Sequence, residues 1–268
     1  MFARRLVGSL LICTACGRGP FWGFGEQPRV SCDRADFLFV IDNSGSMREH
    51  QRQLTENFPV FIDGIHEVVD RGVDIHLGVV TTDRYAGNHG DCHELGSLVT
   101  RTTGPDSSTS VCGPFAEGRP YMTSADDLPR AFACAAHVGT AGDSIEQPLA
   151  AALGAIDPRS AAAKCNSGFL RDDALLSIVA LSDENDQSPG SVDSYVDAFA
   201  AIKGSPEAFA LVTLVESLCG DRVCNADRLR DAAAIAEFGF SGTIGGDYAE
   251  QFTSAVELID DACEANER

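Results

Sequence analysis

Three features of the sequence predict a doubly wound α/β fold, with a mostly parallel central sheet and helices on both faces. Residues 37–41 and 174–181 are continuous apolar runs without polar alternation, so both faces of each must be covered, as in buried parallel strands. Each run stops abruptly in small or oxygen-bearing residues: Asp42-Asn43-Ser44-Gly45-Ser46 after the first, Ser182-Asp183-Glu184-Asn185-Asp186 after the second. Strand-like and helix-like patterns then alternate along the remaining chain.

The elements follow in order. Residues 47–69 place Leu54, Phe58, Phe61, Ile62 and Ile65 at helical spacing, with a kink expected at Pro59. Residues 74–82 read as a second strand, ending in Thr81-Thr82-Asp83. Residues 84–124 form a Gly-, Ser-, Thr-, Pro- and Asp-rich insertion with one short strand candidate at 95–100. Inside a compact domain a loop of this length is functional or disordered unless it is stapled. Two helices, 125–138 and 144–156, flank the loop at 139–143. After the strand at 174–181 come a helix (191–203), a strand (209–215), a helix (227–238), a short strand (240–244) and a helix (248–263).

The chemistry concentrates where the first strand ends. Asp42, Ser44 and Ser46 stand at spacing two in a tight turn, where Gly45 lets the backbone bend and three oxygens converge beyond the carboxyl end of the strand. Carboxylate plus hydroxyl suits a hard divalent cation, Mg2+ or Ca2+. A helix cap alone would explain the residue types but not the spacing. His89, Asp91, Cys92 and His93 form a weaker zinc candidate, because Cys92 is better used in a disulfide and no second Cys-x-x-Cys exists.

An apolar strand ending in Asp-x-Ser-x-Ser and running straight into a helix resembles the von Willebrand factor A domain, whose metal-ion-dependent adhesion site opens with that motif. The runs Ile145-Glu146-Gln147-Pro148-Leu149, Phe169-Leu170-Arg171 and Ser182-Asp183-Glu184 further resemble the A-domain lipoproteins of myxobacteria and related bacteria. The resemblance implies that Asp42, Ser44, Ser46 and Asp183 hold the cation directly or through water. An open coordination position then accepts an acidic oxygen from a partner protein, without catalysis. The family normally brings a Thr to the metal six residues before the apolar position equivalent to Leu149. Here that position is Asp143, with Ser144 and Thr140 as the nearby hydroxyls. A structural surface protein with a metal-rigidified loop site is the alternative. An exported hydrolase is disfavoured by the lack of a Gly-x-Ser-x-Gly elbow, a phosphate loop or a His-Glu-x-x-His helix.

The address is read from the amino terminus. Arg4 and Arg5, an apolar stretch to Cys13, and Thr14-Ala15 before Cys16 resemble a bacterial lipoprotein signal. Residues 1–15 would be the signal peptide, Cys16 the lipidated residue, 16–33 a tether and 34–268 the A-like domain. Gly17 rather than Asp after the cysteine implies the outer membrane. Contact with a membrane would be through this lipid alone. Forty acids against 20 Lys and Arg, a formal net charge of −20, exclude nucleic acid as an electrostatic partner.

Eight further cysteines in an oxidising compartment imply four disulfides. Proximity in sequence suggests Cys92 with Cys112 and Cys219 with Cys224. Cys32 and Cys263 would clasp the ends of the domain, leaving Cys134 for Cys165.

Overall fold

The structure, a computed structural model, describes residues 30–68, 73–216 and 227–267. The predicted signal peptide, Cys16, the tether as far as residue 29 and the Cys219–Cys224 pair lie outside the described residues.

Six strands and six α-helices are described: β1 (Ser31–Ile41), α1 (Arg48–Val68), β2 (Asp74–Thr81), β3 (Met122–Thr123), α2 (Leu128–Ala136), α3 (Pro148–Ile156), β4 (Ala174–Ser182), α4 (Val192–Lys203), β5 (Phe209–Val215), α5 (Asp227–Ile235), β6 (Phe238–Thr243) and α6 (Tyr248–Glu267). Among the described residues they make one sheet in the order β3-β2-β1-β4-β5-β6. All neighbours are parallel except the β2–β3 pair. Successive residues of β1 point to opposite faces, and both sets are buried. Phe37, Phe39 and Ile41 pack with α1, α2 and α6, while Leu38 and Val40 pack with α3, α4 and α5. The fold is therefore the doubly wound α/β sheet that the two apolar runs predict. No helix among the described residues is long and apolar enough to cross a membrane.

Several expectations are corrected. Residues 95–100 are not a strand, although Val99 N donates to Val79 O at 2.8 Å and so runs beside β2. The edge strand is the two-residue β3, where Leu77 pairs with Met122. Helix α3 starts at Pro148 rather than residue 144. Proline disfavours helical backbone in the residue before it, and Asp186 caps the new start by accepting from Leu149 N at 3.1 Å. Helix α1 runs unbroken through Pro59.

Cys32 and Cys263 are joined as expected, tying β1 to α6. The insertion is stapled differently from the expectation: Cys92 pairs with Cys165 and Cys112 with Cys134, instead of Cys92–Cys112 and Cys134–Cys165. Each observed bridge ties the insertion to a separate part of the domain, whereas the expected Cys92–Cys112 bridge would only have closed the insertion on itself. With Cys92 oxidised, and no three His, Cys, Asp or Glu side chains among the described residues placed to hold a metal, the zinc cluster at 89–93 is not formed.

Candidate metal centre

The register of the central strands builds the site. Ile41 lies opposite Leu181, and Asp42 N donates to Leu181 O at 3.0 Å, which sets the turn after β1 beside the end of β4. Ser182 Oγ then donates to Asp42 Oδ2 at 2.5 Å, and Ser44 N donates to Asp42 Oδ1 at 2.7 Å. The hydroxyls of Ser44 and Ser46 lie 3.3 Å apart. Two oxygens on adjacent positions of one octahedral magnesium would be about 3 Å apart, so this pair fits a common ion with little adjustment.

Two devices hold the surrounding loops. Gln51, buried in the first turns of α1, donates through Nε2 to Asp42 O (3.0 Å) and Gly139 O (2.9 Å), and accepts from Gly139 N (3.2 Å). Asp83 Oδ2 accepts from Asn43 Nδ2 (3.2 Å) and from Asp143 N (3.0 Å), while its Oδ1 accepts from Thr81 Oγ1 (2.9 Å). Gly142 N donates to Asn43 O at 2.8 Å, and a Cβ at Gly142 would stand 2.7 Å from Asn43, so only glycine allows this approach.

The electrostatics are one-sided. Asp42 is fully buried, and that burial pushes its carboxyl up to about 6 against the bonds from Ser182 and Ser44; the charge of Asp183 adds to the rise. Glu146 is also fully buried, and burial followed by the charge of Asp42 raises it to about 8. Thr82 Oγ1 donates to Glu146 Oε2, whereas Glu146 Oε1 is buried without a partner. Asn43 Oδ1, Asp183 Oδ1 and Asn185 Oδ1 are likewise buried and unpartnered. All four are acceptors gathered at one edge of the sheet, and a hard cation is the group that satisfies several acceptors at once. The donor set therefore fits a divalent ion.

The structure places the predicted residues unevenly. Asp42, Ser44 and Ser46 come together, with Asp183 electrostatically coupled to Asp42. Asp143 does not join Asp42 and Asp183, because no trio of Asp, Glu, His or Cys among the described residues is placed to hold an ion. Its Oδ1 instead accepts from Ser144 N at 2.7 Å. Thr140 Oγ1 donates to Asp106 Oδ2 at 2.7 Å, beside Arg48, and is thereby committed to the insertion. Of the acids after β4, Asp186 is structural: it caps α3 and pairs with Arg228 at 2.8 Å. Sequence reasoning did not single out Gln51 or Glu146. An acid lodged between Ile145 and Pro148-Leu149 was the available signal for Glu146, and Gln51 left none.

The class defined by fold and site is a doubly wound α/β domain with a carboxylate–hydroxyl cluster at the carboxyl edge of β1 and β4. No family model matches the sequence, and no curated protein does. The chain is similar to solved structures of proximal thread matrix protein 1 from the mussel byssus. One, with a zinc-occupied MIDAS motif, is 11% identical with a TM-score of 0.49, covering 88% of this chain and 49% of that one. Another is 15% identical with a TM-score of 0.47, covering 87% and 47%. It is also similar to the pilus adhesin SpaC from Lactobacillus rhamnosus GG, at 11% identity and a TM-score of 0.42, covering 90% and 31%. The chain thus spans about half the length of the mussel protein structures and about a third of the adhesin's.

Proposed function

We propose that this chain is an exported, membrane-anchored domain that binds a partner protein through a divalent cation, in the manner of a metal-ion-dependent adhesion site. The observation that carries the reading is the set of buried, unpartnered acceptor oxygens beside Asp42, whose carboxylate is met by hydroxyl and amide donors but by no cationic side chain among the described residues. Ser44 and Ser46 would hold Mg2+ or Ca2+ through their hydroxyls, and Asp42 and Asp183 directly or through water. Bound there, the ion supplies an electrophilic position open to an acidic oxygen of the partner. The chain's own residues do the rest: Ser182 and the Ser44 amide orient Asp42, Gln51 fixes the turn against Gly139, and Asp83 fixes Asn43 against the 139–147 loop. The lipid on Cys16 would place the domain at the outer membrane.

A pull-down from native membranes, run in magnesium and again in chelator, tests the binding role. A partner retained only with metal supports it; equal recovery in both would leave the ion a stabiliser of loops. Mass spectrometry of the mature amino-terminal peptide tests the address, since a Cys16 peptide without acyl mass would refute the anchor.

A further inference from the structure

The insertion builds a second concave site, opposite in charge to the metal edge. A cavity of about 480 Å³ opens between the insertion and the loop that leads into β4, within the roughly 300–1,000 Å³ range of small-ligand sites. Its polar wall carries His89, Arg119 and Lys164 with the hydroxyl residues Thr100 and Ser167, and no Asp or Glu lines it. The chain as a whole has twice as many acids as Lys and Arg. The remaining wall is apolar, formed by Leu98, Val111, Pro114 and Pro120. Val111 is 70% exposed, the most exposed of the large hydrophobic side chains among the described residues.

The disulfide pattern explains how these residues meet. Cys92–Cys165 brings His89 and Lys164 together across 75 positions of sequence, and both half-cystines lie in the wall. Asn166 locks the same junction: it donates to Gly96 O (2.8 Å) and Ala155 O (3.0 Å) and accepts from Leu98 N (2.9 Å). Arg119 is positioned by Glu117 and by the Tyr121 hydroxyl, so part of its charge is neutralised. Lys164 has no ion pair or hydrogen bond among the described residues, and it is the uncompensated cation of the cavity.

We propose that this cavity binds a small organic acid, its carboxylate held by Lys164 and Arg119 and its apolar stem laid against Val111, Leu98 and Pro114. A cavity lined by both cations and apolar side chains can engage both parts of such a ligand, whereas a bare inorganic anion would use only the cations. This inference does not rest on the metal-site reading.

Calorimetric titration of the disulfide-intact protein, stripped of divalent ions, with hexanoate, hexanamide and inorganic phosphate tests it. Hexanoate should bind with a Kd of about 0.1–1 mM, and the amide and phosphate at least tenfold more weakly. Lys164→Gln and Val111→Asp, both at exposed positions and checked for an unchanged melting temperature, should each weaken hexanoate at least fivefold. Equal binding of acid and amide, equal binding of phosphate, or a Lys164→Gln protein that binds like wild type would overturn the proposal.

Discussion

Asp36, within β1, and Asp42, immediately beyond its carboxyl end, are both fully buried, and burial raises both carboxyls to about 6. Their surroundings differ. Asp36 is met by the protein's own cation: Arg171 Nε and Nη2 reach its Oδ1 at 2.8 and 2.7 Å, Arg171 N donates to its Oδ2 at 2.7 Å, and the charge of Lys203 helps to lower its pKa. Asp42 is met only by hydroxyl and amide donors, with the negative charge of Asp183 and the buried carboxyl of Glu146, itself raised to about 8, nearby. The site within the strand closes its electrostatics internally; the open end beyond it holds carboxylates that a cation from solution would complete. A buried acid is thus structural or functional according to what faces it, not according to how deeply it lies.

The largest effect should come from breaking the closed site at Asp36. Arg171→Ala would strand Asp36 without its guanidinium and remove the bonds of Arg171 Nη2 to the carbonyls of Ala35 and Asp74. Losing one partner of a buried pair costs about 3–5 kcal/mol, so thermal denaturation should show a large drop in melting temperature, with or without metal. A change within error would mean that the two buried acids are not different in kind.

Asp42→Asn should do the reverse at the open end. A folded-state pKa raised from 3.8 to about 6 favours the protonated form, so this group's contribution to stability is fully present below about pH 4 and is lost as pH rises through 6. In metal-free protein at pH 7 the neutral amide should therefore be stabilising, by up to about 3 kcal/mol, and the gain should vanish near pH 4. The same variant should lose divalent-ion binding at least a hundredfold, about 2.7 kcal/mol. Melting curves across pH and calorimetric titration check both; a metal-free Asp42→Asn protein less stable than wild type at pH 7 would contradict the assignment of Asp42 to the open end.

Gln51→Ala should have a smaller effect. The side chain of Gln51 makes no hydrogen bond to a predicted ligand side chain among the described residues; its bonds go to the Asp42 carbonyl and Gly139. Partners that orient ligands commonly cost ten- to a hundredfold in metal affinity, and about tenfold is expected here. Titration with magnesium should show the loss while the melting temperature of the metal-free protein falls only slightly.

How much of this was legible in the sequence depends on the range of the interaction. The two central strands and the Asp42–Ser46 turn are visible because apolar runs and spacing are local patterns. Strand β3 is not, since Met122–Thr123 sits in a polar stretch and is fixed by distant partners: Leu77 and His76 pair with it, and the adjacent Ser124 Oγ donates to Val73 O. The bridges Cys92–Cys165 and Cys112–Cys134 were unreadable for the same reason: proximity along the chain says nothing about which loops the fold brings together. Glu146 depends on burial and on the Thr82 hydroxyl, and Gln51 on carbonyls contributed by other segments. Asp143 was legible as an anomaly, but not in what its carboxylate does.

That anomaly carries the smallest and sharpest test. Two carboxylates balance a divalent ion, and a third close by leaves a net negative charge that weakens attraction for an acidic partner. Asp143 is exposed; its carboxylate caps the Ser144 amide, and its own amide is held by Asp83. It therefore acts on the site through space, where one charge several ångströms away at a solvent-exposed edge is worth about 1 kcal/mol, roughly fivefold. Asp143→Thr removes that charge but leaves a backbone amide for Asp83 to hold, so the loop should keep its place. The expected result is an approximately fivefold loss of calcium affinity and a comparable gain in metal-dependent capture of an acidic peptide, both read by calorimetry in low salt. Raising the ionic strength to 0.5 M should shrink both changes, because exposed charges are screened. If instead the calcium affinity falls by a hundredfold or more and salt makes no difference, Asp143 is a direct ligand and the loop must move to bring it in. If neither titration changes, the carboxylate is irrelevant to the site and the open end of β1 is set by Asp42, Asp183 and Glu146 alone.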